Sequence, residues 1–208
     1  MSATINVPVS IIAAAAHAMA DKDIRYYLNG MMIEKSANGG VRVVATNGHH
    51  MIVIRSAKAT IKQRVKSQYI IPRNMVDSIV KAGKKGGDVE FKISSNKSVS
   101  ARIADVTFHD KLIDGRFPEW EKVIPQDDSL KGPVEVAPHY MESVIKAHIV
   151  LCKLEGYSHK YSGLTWHMRG SEEPVMAVLG GRIDDIEALA IVMPLRNKEI
   201  KSYREVKV

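Results

Sequence analysis

Cysteine occurs once in the 208 residues, at Cys152. The chain can therefore close no intramolecular disulfide and build no Cys-based zinc site, which fits a reducing cytoplasm. Long apolar runs are missing too, since nothing approaches the roughly 20 residues that cross a bilayer. The Ala- and Ile-rich stretch from Val9 to Ala20 imitates a signal-peptide core, but no Lys or Arg precedes it and Pro8, Ser10 and His17 interrupt it. Export is not expected. No phosphate loop, nucleophile motif or Gly-rich dinucleotide fingerprint occurs, so neither cofactor nor metal is expected. Acidic residues are the scarcer charge, 23 Asp and Glu against 30 Lys and Arg, leaving +7. That sign suits a polyanion, nucleic acid before an anionic membrane.

What is present is ordinary globular material, 45% apolar and 25% charged, enough to bury a core. Prolines reveal an internal repeat. Ile5-Asn6-Val7-Pro8, Tyr69-Ile70-Ile71-Pro72 and Val134-Glu135-Val136-Ala137-Pro138 each end a β-prone run where a helical pattern begins. Proline fits the first helical turn because the N–H it lacks would be unpaired there. Each unit is expected to open strand, proline, helix.

Short β-branched runs with turn signals follow each helix and predict antiparallel strands. They cover Tyr26 to Glu34, Gly40 to Thr46 and Met51 to Ser56 in the first unit, and Val89 to Ile93, Ser98 to Ile103 and Thr107 to Leu112 in the second. In the third they cover Leu164 to Met168, Val175 to Val178 and Leu189 to Met193. The fold class is α+β: three half-domain repeats, each with one helix and antiparallel strands. Residues 1–126 form one complete domain of two repeats, about 1–63 and 64–126. A linker at 127–133, a third half-domain at 134–197 and a tail at 198–208 follow.

Helical phase separates two kinds of face. In the second helix Met75, Val76, Ile79 and Val80 form the apolar stripe, leaving Arg73, Asp77, Lys81 and Lys84 on another face. In the third, Met141, Val144, Ile145 and Cys152 are expected to pack inward, with His139, Ser143, Lys146 and Lys153 opposite. The first helix presents Ser10, Ala14, His17 and Asp21 outward. Lysines on one helix face are as readily plain solvated residues, but basic faces at equivalent places in two repeats suggest a shared surface.

Several segments resemble the bacterial DNA polymerase III beta subunit, the sliding clamp. They are Asp23-Ile24-Arg25-Tyr26-Tyr27-Leu28-Asn29-Gly30, Val44-Ala45-Thr46-Asn47-Gly48-His49, Lys111-Leu112-Ile113-Asp114-Gly115-Arg116-Phe117-Pro118 and Ile191-Val192-Met193-Pro194-Leu195-Arg196. They occur in family order over roughly 1–197. The resemblance implies a ring with helices lining the hole and sheets outside, here with the first domain and half of the third missing. It implies a non-catalytic cytoplasmic processivity factor whose partners are double-stranded DNA, DNA polymerase and clamp loader. Since such rings close from twelve half-domains, it implies a homotetramer, with a trimer as the alternative.

By resemblance Lys22, Arg25, Tyr26 and Tyr27 lie on a loop that approaches DNA, although both tyrosines also suit a plain strand. Helical phase adds Arg73, Lys81, Lys84, Lys85 and Lys146. The resemblance also implies an apolar pocket for short linear peptides, built from Leu28, Thr46, Gly48, His49, Met51, Pro118, Val123, Tyr140, Val178, Ile191, Val192, Met193, Pro194, Leu195 and Arg196. Taken singly, Leu28, Ile191 and Met193 read equally well as core strand residues. His50 and Lys122 stand where the family commonly has Arg, and Asn197 replaces the usual Leu. Rival readings are a clamp-like regulator that binds replication proteins without encircling DNA, and an enzyme using His49-His50 or His109-Asp110. Adjacent histidines point apart and no third ligand stands at useful spacing, which disfavours the enzyme.

Overall fold

The structure is a computed structural model that describes residues 2–63, 67–124, 134–168, 170, 172–180 and 185–195. The expected linker and tail, with Arg196, lie outside the described residues. The first unit runs β1 (Ala3–Pro8), α1 (Val9–Ala16), β2 (Gly30–Lys35), β3 (Val41–Thr46), β4 (His50–Ser56) and β5 (Thr60–Gln63). The second has β6 (Gln68–Pro72), α2 (Arg73–Ala82), β7 (Asp88–Ile93), β8 (Ser98–Ile103) and β9 (Val106–Lys111). The third has α3 (Pro138–Leu154), β10 (Thr165–His167), β11 (Val175–Leu179) and β12 (Ile186–Val192).

Two sheets carry these strands, in the orders β5-β1-β7-β8-β9 and β10-β11-β12-β4-β3-β2-β6. The first two units exchange their opening strands. β1 joins the sheet of the second unit beside β7, and β6 joins the sheet of the first beside β2. The third unit continues the larger sheet through β12, which pairs with β4 from Ile186 opposite Ser56 to Val192 opposite His50.

The period-2 pattern decides what each sheet face meets. On the larger sheet Met31, Ile33, Ala190 and Val192 face the helices in the main core. Met32, Val44, Met51 and Ile191 face the other way and are covered by Phe117 and Trp120 from the segment after β9. α2 buries Met75, Val76 and Ile79 as its phase requires.

Five expectations need correcting. The strand expected from Tyr26 begins only at Gly30, because Tyr26–Leu28 wind into a 3₁₀ turn. Pro8 and Pro72 are the N-cap residues of α1 and α2, and only Pro138 opens a helix from within. Residues 134–137 join neither sheet. Ala14, expected outward, is fully buried because α1 lies between α2 and α3. On α3, Val144 and Cys152 are buried, but Ile145 is 43% exposed and Met141 only half-buried, because α3 packs through the flank that also carries Ala147 and Leu151. No helix among the described residues is long and apolar enough to cross a membrane.

Candidate peptide pocket and basic helix face

The β3–β4 hairpin is closed by a backbone bond from Asn47 N–H to His50 O at 3.3 Å and braced by side chains. Thr46 Oγ1 donates to His50 O at 2.8 Å and accepts from Gly48 N–H at 3.0 Å. Asn47 Oδ1 accepts from the N–H groups of His49 and His50, each at 3.0 Å. Gly48 adopts φ +86°, the left-handed region open to glycine at little cost. A Cβ there would stand 2.6 Å from the Arg25 guanidinium.

Arg25 is held over that glycine from both ends. It bonds Asp23 at 2.7 and 3.0 Å and donates to Asn47 O at 3.0 Å. The Arg25 hydrogen bonds lower the Asp23 carboxyl to about 2. Tyr27 and Leu28 follow on a 3₁₀ turn and bring the chain beside the hairpin.

Between these pieces lies a groove of about 180 Å³. Leu28, Met51 and Ile191 supply its apolar lining, with Pro118, Trp120 and Val123 from the segment after β9. Thr46, Gly48, His49 and Met193 also line it. Met193 is fixed by its N–H, which donates to His49 O at 2.8 Å. Four stretches distant in sequence thus converge on one mostly apolar surface, the kind that binds an apolar side chain with a few polar groups to orient it.

Other expected pocket residues lie elsewhere. Val192 is fully buried in the main core, because it alternates with Ile191. Val178 sits on β11, 42% exposed, opposite Leu189. Pro194 and Leu195 leave the end of β12, and Leu195 N–H donates to Glu135 O at 2.8 Å. Tyr140 is not in the groove wall, but its ring stacks on His50 at 4.7 Å and on His49 at 5.8 Å.

Trp120 and His50 line the groove although the sequence pattern does not single them out for it, while Arg25 and Tyr27, expected at DNA, line it as well. The signal that could have found Trp120 is a large apolar ring in the polar run Pro118 to Lys122. That ring is 6% exposed and lies 4.8 Å beneath Arg42. His50 gives a weaker signal. It is 5% exposed, with Nδ1 3.0 Å from Asn47 Oδ1 and Nε2 3.1 Å from His17 O. Both neighbours are acceptors, so neutral imidazole fills one contact and imidazolium both. Burial nevertheless lowers its pKa, and the nearby His139, His49 and His17 add to that, against the pull of the His17 carbonyl.

The basic residues divide by what they already hold. Arg73 donates to Ala20 O at 2.9 Å and Met19 O at 3.1 Å, with Asp21 and Asp77 each 3.6 Å away. It ties the chain after α1 to the start of α2. Lys146 pairs with Glu142 at 2.7 Å. Lys84 and Lys85 are exposed beside a groove of about 580 Å³ among the three helices, which Lys153 also lines. Lys81 and Lys22 are exposed, and Tyr26 donates its hydroxyl to Asp114 O at 3.0 Å. Among the described residues no three metal-ligating side chains cluster, at His49-His50, at His109-Asp110 or elsewhere.

Residues 5–119 match the family model of the DNA polymerase III beta subunit, central domain. The chain is 37% identical over 119 residues to the beta sliding clamp of Pseudomonas putida, covering 56% of this chain and 31% of that one. It is 38% identical over 120 residues to the beta sliding clamp of Escherichia coli strain K12, with the same coverage. It therefore spans about a third of the curated relatives it matches. Its fold is that of the sliding clamp from Pseudomonas aeruginosa, with TM-score 0.69 at 20% identity over 93% of this chain and 66% of that one. The DNA polymerase III subunit beta of Borrelia burgdorferi gives TM-score 0.70 at 12% identity over 91% and 62%.

Proposed function

Because this chain belongs to the family of the DNA polymerase III beta subunit, we propose that it works as a sliding clamp. In this reading it encircles duplex DNA as a homo-oligomeric ring and tethers DNA polymerase and clamp loader through short peptides, without catalysis of its own. The observation that carries this reading is the convergence of Leu28, Met51, Val123, Ile191 and Met193 on one groove from distant stretches of chain. Core strand residues alone would leave no such opening.

The chemistry suits a tether. Flexible Met side chains repack around different apolar peptides, and Arg25 and the two histidines give the rim its orientation. On the helix side, Lys81, Lys84, Lys85 and Lys153 offer sequence-independent attraction to phosphates. Reading base edges would arrest sliding, and contacts to phosphate do not. Retention then comes from topology. Three units per chain make four copies the natural count for a twelve-unit ring.

The pocket half of this reading is tested by anisotropy of a labelled, apolar linear peptide. Met193→Lys, at a 37% exposed position, is expected to weaken binding at least tenfold while leaving the native mass unchanged. Undiminished affinity would remove the pocket from the account.

A further inference from the structure

The two complete units obey a pairing rule that the third obeys only by half. The opening strand of each has its own unit's returning chain on one side and the first strand of its sibling on the other. Asn6 lies between Thr60 and Glu90. Ile70 accepts from Ile113 N–H at 3.0 Å and stands opposite Met32. Counted from the N-cap residues Pro8, Pro72 and Ala137, the equivalent of Asn6 and Ile70 is Glu135. Its carbonyl accepts from Leu195 N–H, so the returning-chain side is filled. The sibling's side is not. Among the described residues β10 is an edge strand, and Val134 and Val136, whose backbone groups alternate to that side, join no ladder.

An apolar surface lies along the same side. α3 meets α1 through the flank whose Val150 and Leu154 share a groove with Ser10 and Ala13. On another flank Met141, Ile145 and Ile149 recur at i, i+4 and i+8, with Ile145 43% exposed and the other two half-buried. None of the three belongs to either core. β10 and the residue after it add half-buried Trp166 and Met168, which is 39% exposed. In the first two units the corresponding region is where α1 meets α2.

We propose that two copies of this chain join through their third units, each laying residues 134–137 beside the other's β10, so that two half-domains complete one domain. The register follows from the other two exchanges. Both set the N-cap residue opposite the first residue of the sibling strand, Pro72 opposite Gly30 and Pro8 opposite Asp88. Ala137 then faces Thr165 of the second copy, Val136 faces Trp166 and Val134 faces Met168.

Parity makes the contact two-fold. Within the chain the first and second units meet by strand exchange, and the first and third meet edge to edge through β4 and β12. Among the described residues the row of units ends in an exchange face on the third unit and an edge, β9, on the second, while the edge strands β5 and β6 lie within the row, at the exchange between the first two units. These two ends do not complement each other, so neither caps the other head to tail and each is left to meet its own copy. A two-fold axis that keeps both helix layers on the same side must run normal to that layer, and it reverses every direction within it. Neighbouring pockets therefore open on opposite faces of the assembly, so that one ring presents pockets to both sides.

The assembly does not depend on the protein being a clamp, and its test uses the full chain. Val134→Cys and Met168→Cys chains are expressed separately and together, then oxidised. Only the co-expressed pair is expected to give a disulfide-linked species of twice 23.0 kDa on a non-reducing gel. Such a pairing sets the two Cα atoms about 5.5 Å apart, within disulfide reach. No linked species from the pair, or equal linkage in either single-variant sample, overturns the proposal. Ile145→Lys, at an exposed position, is read by sedimentation velocity. It is expected to fall to half the wild-type mass or less with its thermal unfolding retained. A folded variant of unchanged mass, or a wild type that sediments at 23.0 kDa, overturns it equally.

Discussion

Tyr140 stacks its ring on that of His50 at 4.7 Å, so the start of α3 rests directly on the hairpin that forms the pocket. The contact joins the third unit to the first at a histidine that is itself buried. Pocket shape and the docking of α3 are therefore linked at one place.

That link is expected to respond to protons. Burial lowers the pKa of His50 and His17 from the ordinary 6.5, and for His17 the Lys146 charge adds to it. The unfolded chain consequently takes up protons first as pH falls. The stability these groups contribute is complete above 6.5 and is lost progressively below it, down to their lowered folded values. Urea midpoints are expected to drop between about pH 7.5 and 5.5. His50→Gln is expected to shrink the drop, and equal midpoints would contradict this.

Gly48→Ala should damage the rim without damaging the core. Its left-handed backbone costs about 1–2 kcal/mol for an L side chain, and the new methyl group would displace Arg25. Peptide affinity is expected to fall more than stability does. The comparison is anisotropy against a urea melt of the same variant.

Arg73 and the groove lysines should separate in the laboratory as they do in the structure. Arg73→Ala leaves two backbone carbonyls without their donor and is expected to cost about 1–3 kcal/mol of stability. Its salt slope for DNA retention should stay near wild type. Lys84, Lys85 and Lys153 replaced together by Ala should do the reverse. Stability is preserved, and the slope of log affinity against log salt flattens by about 0.9 for each phosphate that is no longer neutralised.

Most strands of the first two units are legible from alternation and turn residues, though not β5 or the start of β2 at Gly30, and most of the groove is legible from resemblance to the sliding-clamp family. Strand exchange is not legible, because β1 and β6 look like any apolar strand and nothing local states which sheet they enter. For the same reason phase alone turns Ile145 inward: helical period gives the spacing of a stripe but not which flank meets α1. Val192 goes with its neighbour Ile191 by motif, although successive strand residues face opposite ways. Arg73 groups with the lysines by phase, since only the fold brings the carbonyls of Met19 and Ala20 to it. Trp120 escapes notice because its partners are distant in sequence, as Arg42 shows.

The most direct test of the clamp itself is retention on nicked circular DNA during gel filtration, after loading and in moderate salt. The account predicts that the protein stays with the circle and leaves it once the DNA is cut to a linear form. Equal retention on both forms, or on neither, would contradict encirclement and leave a protein that binds replication partners without a ring.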